Sequence, residues 1–316
     1  MAELAVVIAR AIPDREDLIG YALVHLGNVH RVQGDLPAAD KTLSEGEAFL
    51  QKNAGREALD DAVIFALKAS LRRTQGRLGE ALALHDEALG RPGASAMRAE
   101  LLASKAYTLD EAGDMPGVLN TLEEAVQNLS DKQDPRLLLS IRHNLVDALS
   151  KAGRFEEGKE FLGEVKRLAF RVGTDLDSGR VQWAEGRIEA GLGNLDRGIS
   201  LLLNARGVLA AKGIALDTAL VSLELALLYL QQGRSDSVKD IARHLAPLFR
   251  AQALPRETLA ALALFRRAAE AEEVTPELPT HLLEYLRQTR HRPGLVFSGD
   301  GQDREGGVAQ GDHEQP

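Results

Sequence analysis

The 316-residue sequence contains no cysteine, so disulfides, thiolate nucleophiles and cysteine-ligated metals are excluded. Aromatic residues make up only 4% of the chain and include a single tryptophan, whereas strands are built from aromatic and β-branched residues. No stretch approaches the roughly 18 consecutive apolar residues that cross a bilayer. Positive charge is in deficit, with 38 Lys and Arg against 47 Asp and Glu and a formal net charge of -9. Such a chain is a poor ligand for nucleic acid, whose affinity comes largely from neutralised phosphates, so no direct nucleic-acid partner and no membrane partner are expected. The N-terminus has an apolar run, Leu4 to Ala9, but no basic segment before it and Glu3 in its place. A secretory signal is therefore not expected, and a cytoplasmic location follows by default.

What is present favours helix. Ala and Leu dominate, the charged share is 27%, and hydrophobic residues at 44% suffice for a packed interior. The length exceeds the roughly 250–300 residues at which one core stops growing, which leaves two globular domains or one elongated repeat array. A repeat is visible at glycines that end one apolar-periodic segment and precede another: Gly34, Gly76, Gly113, Gly153, Gly193 and Gly233. Their spacings are 42, 37, 40, 40 and 40 residues. Glycine ends a helix in the left-handed conformation without a Cβ clash. Asp35, Asp114 and Asn194 follow three of these glycines and are expected to cap the next helix. Asp134-Pro135 and Thr275-Pro276 are further helix starts. The reading gives helix pairs 14–33 with 35–51, 56–75 with 77–90, 95–112 with 115–129, 134–152 with 154–171, 176–192 with 194–212, and 215–232 with 234–250. Helices 256–272 and 276–290 follow, and no strand is expected.

Residues 20–46, with Leu26-Gly27, Gly34-Asp35, Ala39 and Gly46, resemble a tetratricopeptide repeat. Ala69, Ala106, Gly186 and Ala226 fall on the pattern's small first-helix position. Ala81, Gly158 and Gly198, then Ala88, Ala125 and Ala205, fall on its small positions after the turn. The period exceeds the usual 34 or so, as in the kinesin light chain type, and a HEAT array of similar period is the alternative. The resemblance covers about 14–250 and implies an all-α, right-handed superhelical solenoid of antiparallel helix pairs: six repeats with capping helices at 251–292. The whole also looks like the tetratricopeptide half of bacterial regulators that begin with a helix-turn-helix, although no helix-turn-helix is recognisable.

The ends read differently. Residues 1–13 look like a capping helix, or like the second helix of a repeat whose first helix lies in a missing upstream domain or a partner. Homo-oligomerisation through this end is one expectation. Residues 293–316 are expected to be a disordered tail, because 298–316 contain five glycines and almost nothing apolar. Arg287, Arg290, His291 and Arg292 cluster where a helix C-terminus favours cations.

Catalytic and metal constellations are not apparent. His25 and His30 are five apart and do not share a helix face, and His281 and His291 have no nearby acidic pair. Gly191-Leu192-Gly193 follows a helix rather than a strand, so it is not a dinucleotide fingerprint. No cofactor, metal site or catalytic residue is expected. The resemblance instead implies a concave groove lined by first helices. Its positions fall on Tyr21, Val24, Asn28 and Arg31, then Ser70 and Arg73, then Tyr107 and Asp110, then His143, Asn144 and Asp147, then Arg180, Trp183 and Arg187. Asn28 and Asn144 stand where an amide can bond a peptide's main chain. Trp183 lies one turn from Arg180 and from Arg187, which suits a carboxyl-bearing partner. The alternative places Trp183 in the core, with the arginines on Glu185 or Glu189. Residues 219–230 are apolar almost all round and are expected to be sealed by residues 256–268, confining the groove to the first five repeats. The expected function is a scaffold for a peptide or protein. The alternative is the ligand-sensing arm of a bacterial transcriptional regulator without its own DNA-binding domain.

Overall fold

The computed structural model describes residues 2–12, 16–52, 59–91, 94–129, 134–250, 256–289, 295–297 and 304–305. Its helices are α1 (Ala2–Ala11), α2 (Glu16–Val32), α3 (Leu36–Lys52), α4 (Leu59–Thr74), α5 (Leu78–Leu89), α6 (Arg98–Glu111), α7 (Met115–Gln127) and α8 (Pro135–Lys151). They continue as α9 (Phe155–Val172), α10 (Asp175–Gly191), α11 (Leu195–Ala211), α12 (Ala215–Gln231), α13 (Ser235–Arg250), α14 (Arg256–Glu270) and α15 (Glu277–Thr289). Five of the expected pairs pack as read, α2 with α3, α4 with α5, α6 with α7, α10 with α11 and α12 with α13, and α8 and α9 stand at the places in the chain expected for the fourth.

The punctuation is physical. At Gly113, φ is +77°, its N–H bonds Asp110 O at 3.1 Å, and the next N–H bonds Leu109 O at 3.0 Å. Those two bonds satisfy carbonyls that the end of α6 would leave open. All six glycines read from the sequence have positive φ. Gly213, which the spacing did not single out, joins them at +71° and links α11 to α12 by the same turn. Of the three expected caps, Asp35 accepts from Ala38 N and Asp114 from Gly117 N. Asn194 does not cap: its amide donates to Glu189 Oε2 at 2.7 Å, because a buried carboxylate is the stronger acceptor within reach. Thr174, unforeseen, caps α10 in a reciprocal box with Asp177.

The small residues lie where helix backbones cross. Ala39, Ala69, Ala81, Ala88, Ala125, Ala205 and Ala226 are fully buried. A Cβ on Gly46 would stand 2.9 Å from Gly20 O and 3.0 Å from Val24 N, both backbone atoms of α2. Gly46→Ala is therefore expected to destabilise by about 1–3 kcal/mol, the cost of overpacking, despite alanine's better helix propensity. Gly207, mid-helix in α11 with nothing near its missing Cβ, is the control: Gly207→Ala should gain about 0.5–1 kcal/mol. Urea denaturation followed by circular dichroism separates the two, and a neutral Gly46→Ala would refute the close crossing.

The chain divides into two compact units, Met1–Ala148 and Leu149–Pro316. In the first, α1 packs on α2 through Val6 and Ala9 and leaves Leu4, Val7 and Ile8 exposed. Val24, Leu43, Ile64 and Leu71 then form a core among α2, α3 and α4, and Leu102, Ala125 and Ile141 join α6, α7 and α8. In the second unit one larger core runs from Ile199 through α12 to Phe265, Tyr285 and Leu286. Helix α12 is buried nearly all round, as its composition implies. The helix laid on it is α15, however, while α14 packs on α13. The expectation for 256–268 is corrected accordingly: those residues join the core mainly beside α13.

Two further expectations are corrected. Short strands β1 (Leu295–Val296) and β2 (Arg304–Glu305) pair antiparallel, within a stretch read as a disordered tail. Leu295 is buried and its carbonyl accepts from the Tyr285 hydroxyl at 3.1 Å. Phe297 packs against His281 and Tyr285, with ring centroids 4.6 and 5.1 Å away. Leu295 and Phe297, ahead of the glycine-rich segment, thus find a surface on α15 that composition could not reveal. The rest of the expected tail, and Arg290, His291 and Arg292, lie outside the described residues.

Candidate functional site

Every residue expected to line the groove stands on a first helix: α2, α4, α6, α8 or α10. One is misplaced in phase. Val24 is 2% exposed, and its Cγ2 faces Gly46 in the crossing of α2 and α3. Tyr21, Asn28, Arg31, Ser70, Arg73, His143, Asn144, Asp147, Arg180, Trp183 and Arg187 are half-buried, whereas Tyr107 and Asp110 are exposed.

The structure joins these residues to one another and to partners on the next first helix. In the first unit, Arg31 Nε donates to Asn28 Oδ1 at 3.0 Å and Nη1 to Thr74 Oγ1 at 3.3 Å. Arg73 pairs with Glu111. Asn144 Nδ2 donates to the Tyr107 hydroxyl at 2.9 Å, which pins an aromatic ring left 49% exposed.

In the second unit the arrangement is tighter. Arg180 reaches Asp217 at 3.3 Å. The Trp183 indole N–H donates to Glu224 Oε2 at 2.6 Å, and Arg187 Nε to the same oxygen at 3.2 Å. Arg187 also donates to Ser150 Oγ at 2.7 Å and stacks over the Trp183 ring at 4.8 Å. From α15, Arg287 reaches Glu224 Oε1 at 3.4 Å. Trp183 packs against the core of α12 and α15. Neither arginine takes the carboxylates considered from sequence. Glu185 is held by Lys166 and Arg197, and Glu189 by Lys159 and Arg197, from helices α9 and α11. A guanidinium on the first-helix face points to the neighbouring first helix, away from those pairs.

Thr74, Glu111, Ser150, Asp217, Glu224 and Arg287 were missed by sequence reasoning, yet four contacts carry a signal. Tyr107 and Asn144, Ser150 and Arg187, Arg180 and Asp217, and Arg187 and Glu224 are each 37 residues apart. That separation is one 40-residue repeat less about one helical turn, the offset at which adjacent first helices meet.

No group of three His, Asp or Glu among the described residues could hold a metal ion, and no described helix is long and apolar enough to cross a membrane. His85, on α5, is fully buried with Nε2 3.0 Å from Thr108 Oγ1. Burial, with Arg73 and Lys105 nearby, pushes its pKa down to about 4.

No family model and no curated protein sequence matches the chain. Solved structures do. A Rap protein complexed with competence and sporulation factor is 13% identical, with a TM-score of 0.67 over 92% of this chain and 81% of that one. A signal transduction ATPase with a tetratricopeptide repeat sensor from Pyrococcus horikoshii is 12% identical, with a TM-score of 0.65 over 92% of this chain and 44% of that one. A tetratricopeptide repeat protein from Parabacteroides merdae is 16% identical, with a TM-score of 0.53 over 84% and 98%. With these likenesses, the paired helices and the small residues at their crossings, the chain has the tetratricopeptide-repeat fold.

Proposed function

We propose that the chain is a cytoplasmic, non-catalytic scaffold that holds a peptide or protein on the first-helix face of its first unit. The observation that carries this is Tyr107 of α6, an exposed aromatic whose hydroxyl is bonded by Asn144 of α8, in the same series of first helices that carries the half-buried Arg31 and Asn28 on α2. Tyr and Arg are the residue types enriched at binding hot spots. Rigid side chains also lose little freedom on binding. The likeness to a Rap protein crystallised with competence and sporulation factor supports a bound protein or peptide as the ligand class.

The test uses the intact chain, immobilised and exposed to a pool of synthetic hexapeptides. Tyr107→Ala is expected to lower peptide retention about tenfold or more, the effect of one hot-spot residue, with an unchanged melting temperature. Phe170→Ala is the control, since Phe170 is 94% exposed on α9, a second helix. Equal loss in both variants, or none in Tyr107→Ala, would refute this face. The second reading, a sensing arm for a separately supplied DNA-binding subunit, uses the same face. It would be favoured by co-purification of a helix-turn-helix partner whose binding changes when peptide is added.

A further inference from the structure

Charge matching along the first helices points to where a ligand anion belongs. Arg73 has Glu111, Arg180 has Asp217 and Arg187 has Glu224. Arg31 departs from this pattern. Its two partners, the Asn28 amide oxygen and the Thr74 hydroxyl, are neutral, and no carboxylate pairs with it among the described residues. Arg31 is half-buried, and both burial and the neighbouring charge of Arg73 hold its pKa below the ordinary arginine range. A half-buried cation beside another cation, with no counter-charge, is an arrangement that folding alone does not favour.

The side chain is nevertheless fixed. Thr74 donates its hydroxyl proton to Ser70 O at 2.8 Å, so its oxygen is left to accept from Arg31. Asn28 accepts at Oδ1 from Arg31 Nε. Arg31 Nη2 and Asn28 Nδ2 make no bond among the described residues. Held at Nε and Nη1, the guanidinium keeps Nη2 in place with its N–H donors unbonded, and with Asn28 Nδ2 it is preorganised to donate to an oxyanion through charge-assisted bonds.

We propose that Arg31, with Asn28 beside it, is a carboxylate subsite that takes a carboxyl group of a bound peptide. The inference rests on the peptide-binding reading above and assigns the ligand's chemistry. A bound carboxylate supplies the counter-charge that Arg31 lacks and relieves its repulsion with Arg73. It also reverses the expectation raised by Trp183 and its arginines. That cluster already holds a carboxylate of its own, Glu224, whereas the Arg31 position holds none.

The experiment immobilises the intact chain and applies random hexapeptides synthesised in two forms, with free and with amidated C-termini. The wild type should retain free acids, or amides containing Asp or Glu, about tenfold over uncharged amides, the effect of a charge-assisted bond. Selection that survives amidation identifies a side-chain carboxylate, and selection that does not identifies the C-terminus. Either result supports the subsite. Arg31→Gln should abolish the preference while leaving the melting temperature unchanged or raised, because an uncompensated charge is removed.

A preference that persists in Arg31→Gln, or a fall in its melting temperature, would overturn the proposal and make Arg31 a structural residue. Displacement by inorganic phosphate at constant ionic strength, with no discrimination between acids and amides, would overturn it in favour of a phosphate site. Peptides retained without acid selection leave the scaffold reading standing and sink the subsite. A column that retains no peptide sinks both.

Discussion

Glu224→Ala is expected to destabilise the second unit by about 3–5 kcal/mol, the cost of removing one member of a buried ion pair. The Glu224 side chain is 10% exposed and that of Arg187 is 11% exposed. Truncating the carboxylate removes the acceptor shared by the Arg187 guanidinium and the Trp183 indole N–H, and with it a negative charge that the Ser150 hydroxyl and the apolar packing around Trp183 do not supply. Glu224→Gln keeps an acceptor oxygen for the indole and gives up only the charge, so its loss should be smaller, about 1–2 kcal/mol. Arg287→Ala should cost less than about 1 kcal/mol, since that arginine is half-exposed and its contact is long. The three variants, compared by urea denaturation with tryptophan fluorescence, should rank in that order. If Glu224→Ala were no worse than Arg287→Ala, the network would be a surface feature and the Trp183 arginines would be open to an external carboxylate after all.

Lowering the pH should destabilise the first unit through His85 by a further amount of about 3 kcal/mol, the linkage energy of its pKa shift. In the folded chain the imidazole pKa is pushed down to about 4 from an ordinary 6.5. Burial is the main cause, followed by the charges of Arg73 and Lys105, while Asp86 opposes them. The bonding explains why the neutral ring is the stable one. Thr108 directs its hydroxyl proton to Ser104 O, so its oxygen accepts from Nε2–H, and Nδ1 has no partner among the described residues. A second proton at Nδ1 would place a charged, unsatisfied donor in the interior. Above pH 6.5 both folded and unfolded chains carry the neutral ring and the contribution is fully present. As pH falls below 6.5 the unfolded chain takes up the proton first, and stability is lost until the folded ring also titrates near pH 4. Urea midpoints of wild type and His85→Leu, measured from pH 7.5 to 4, isolate the effect as a difference in slope. Parallel slopes would show that His85 is solvated in the folded chain.

These two sites mark the boundary of what the sequence discloses. The period of the glycines, the helix pairs, the alanines and glycines at the crossings and the self-buried α12 were all legible. Each depends on rules that act within one or two turns of the chain, such as a left-handed residue ending α6 at Gly113 or a small side chain admitting α3 against α2 at Gly46. Gly213 and the Thr174 cap belong to the same local class and were overlooked. Val24 shows where local rules begin to fail, because which face of α2 meets α3 is set by the packing of the two helices and not by α2 alone.

What tertiary structure alone decided is how charges and polar groups are shared between helices. Arg187 chose Glu224, 37 residues away, over Glu189 on its own helix, because the offset between adjacent first helices sets which carboxylate a guanidinium can reach. Leu295 found a buried place beside Tyr285 because α15 folds back onto α12. Arg31 was left without a carboxylate for the same geometrical reason: the first helix beside it offers a threonine at that height. A one-dimensional pattern specifies helices through their own hydrogen bonds. Pairing between helices is set by the packing of their side chains.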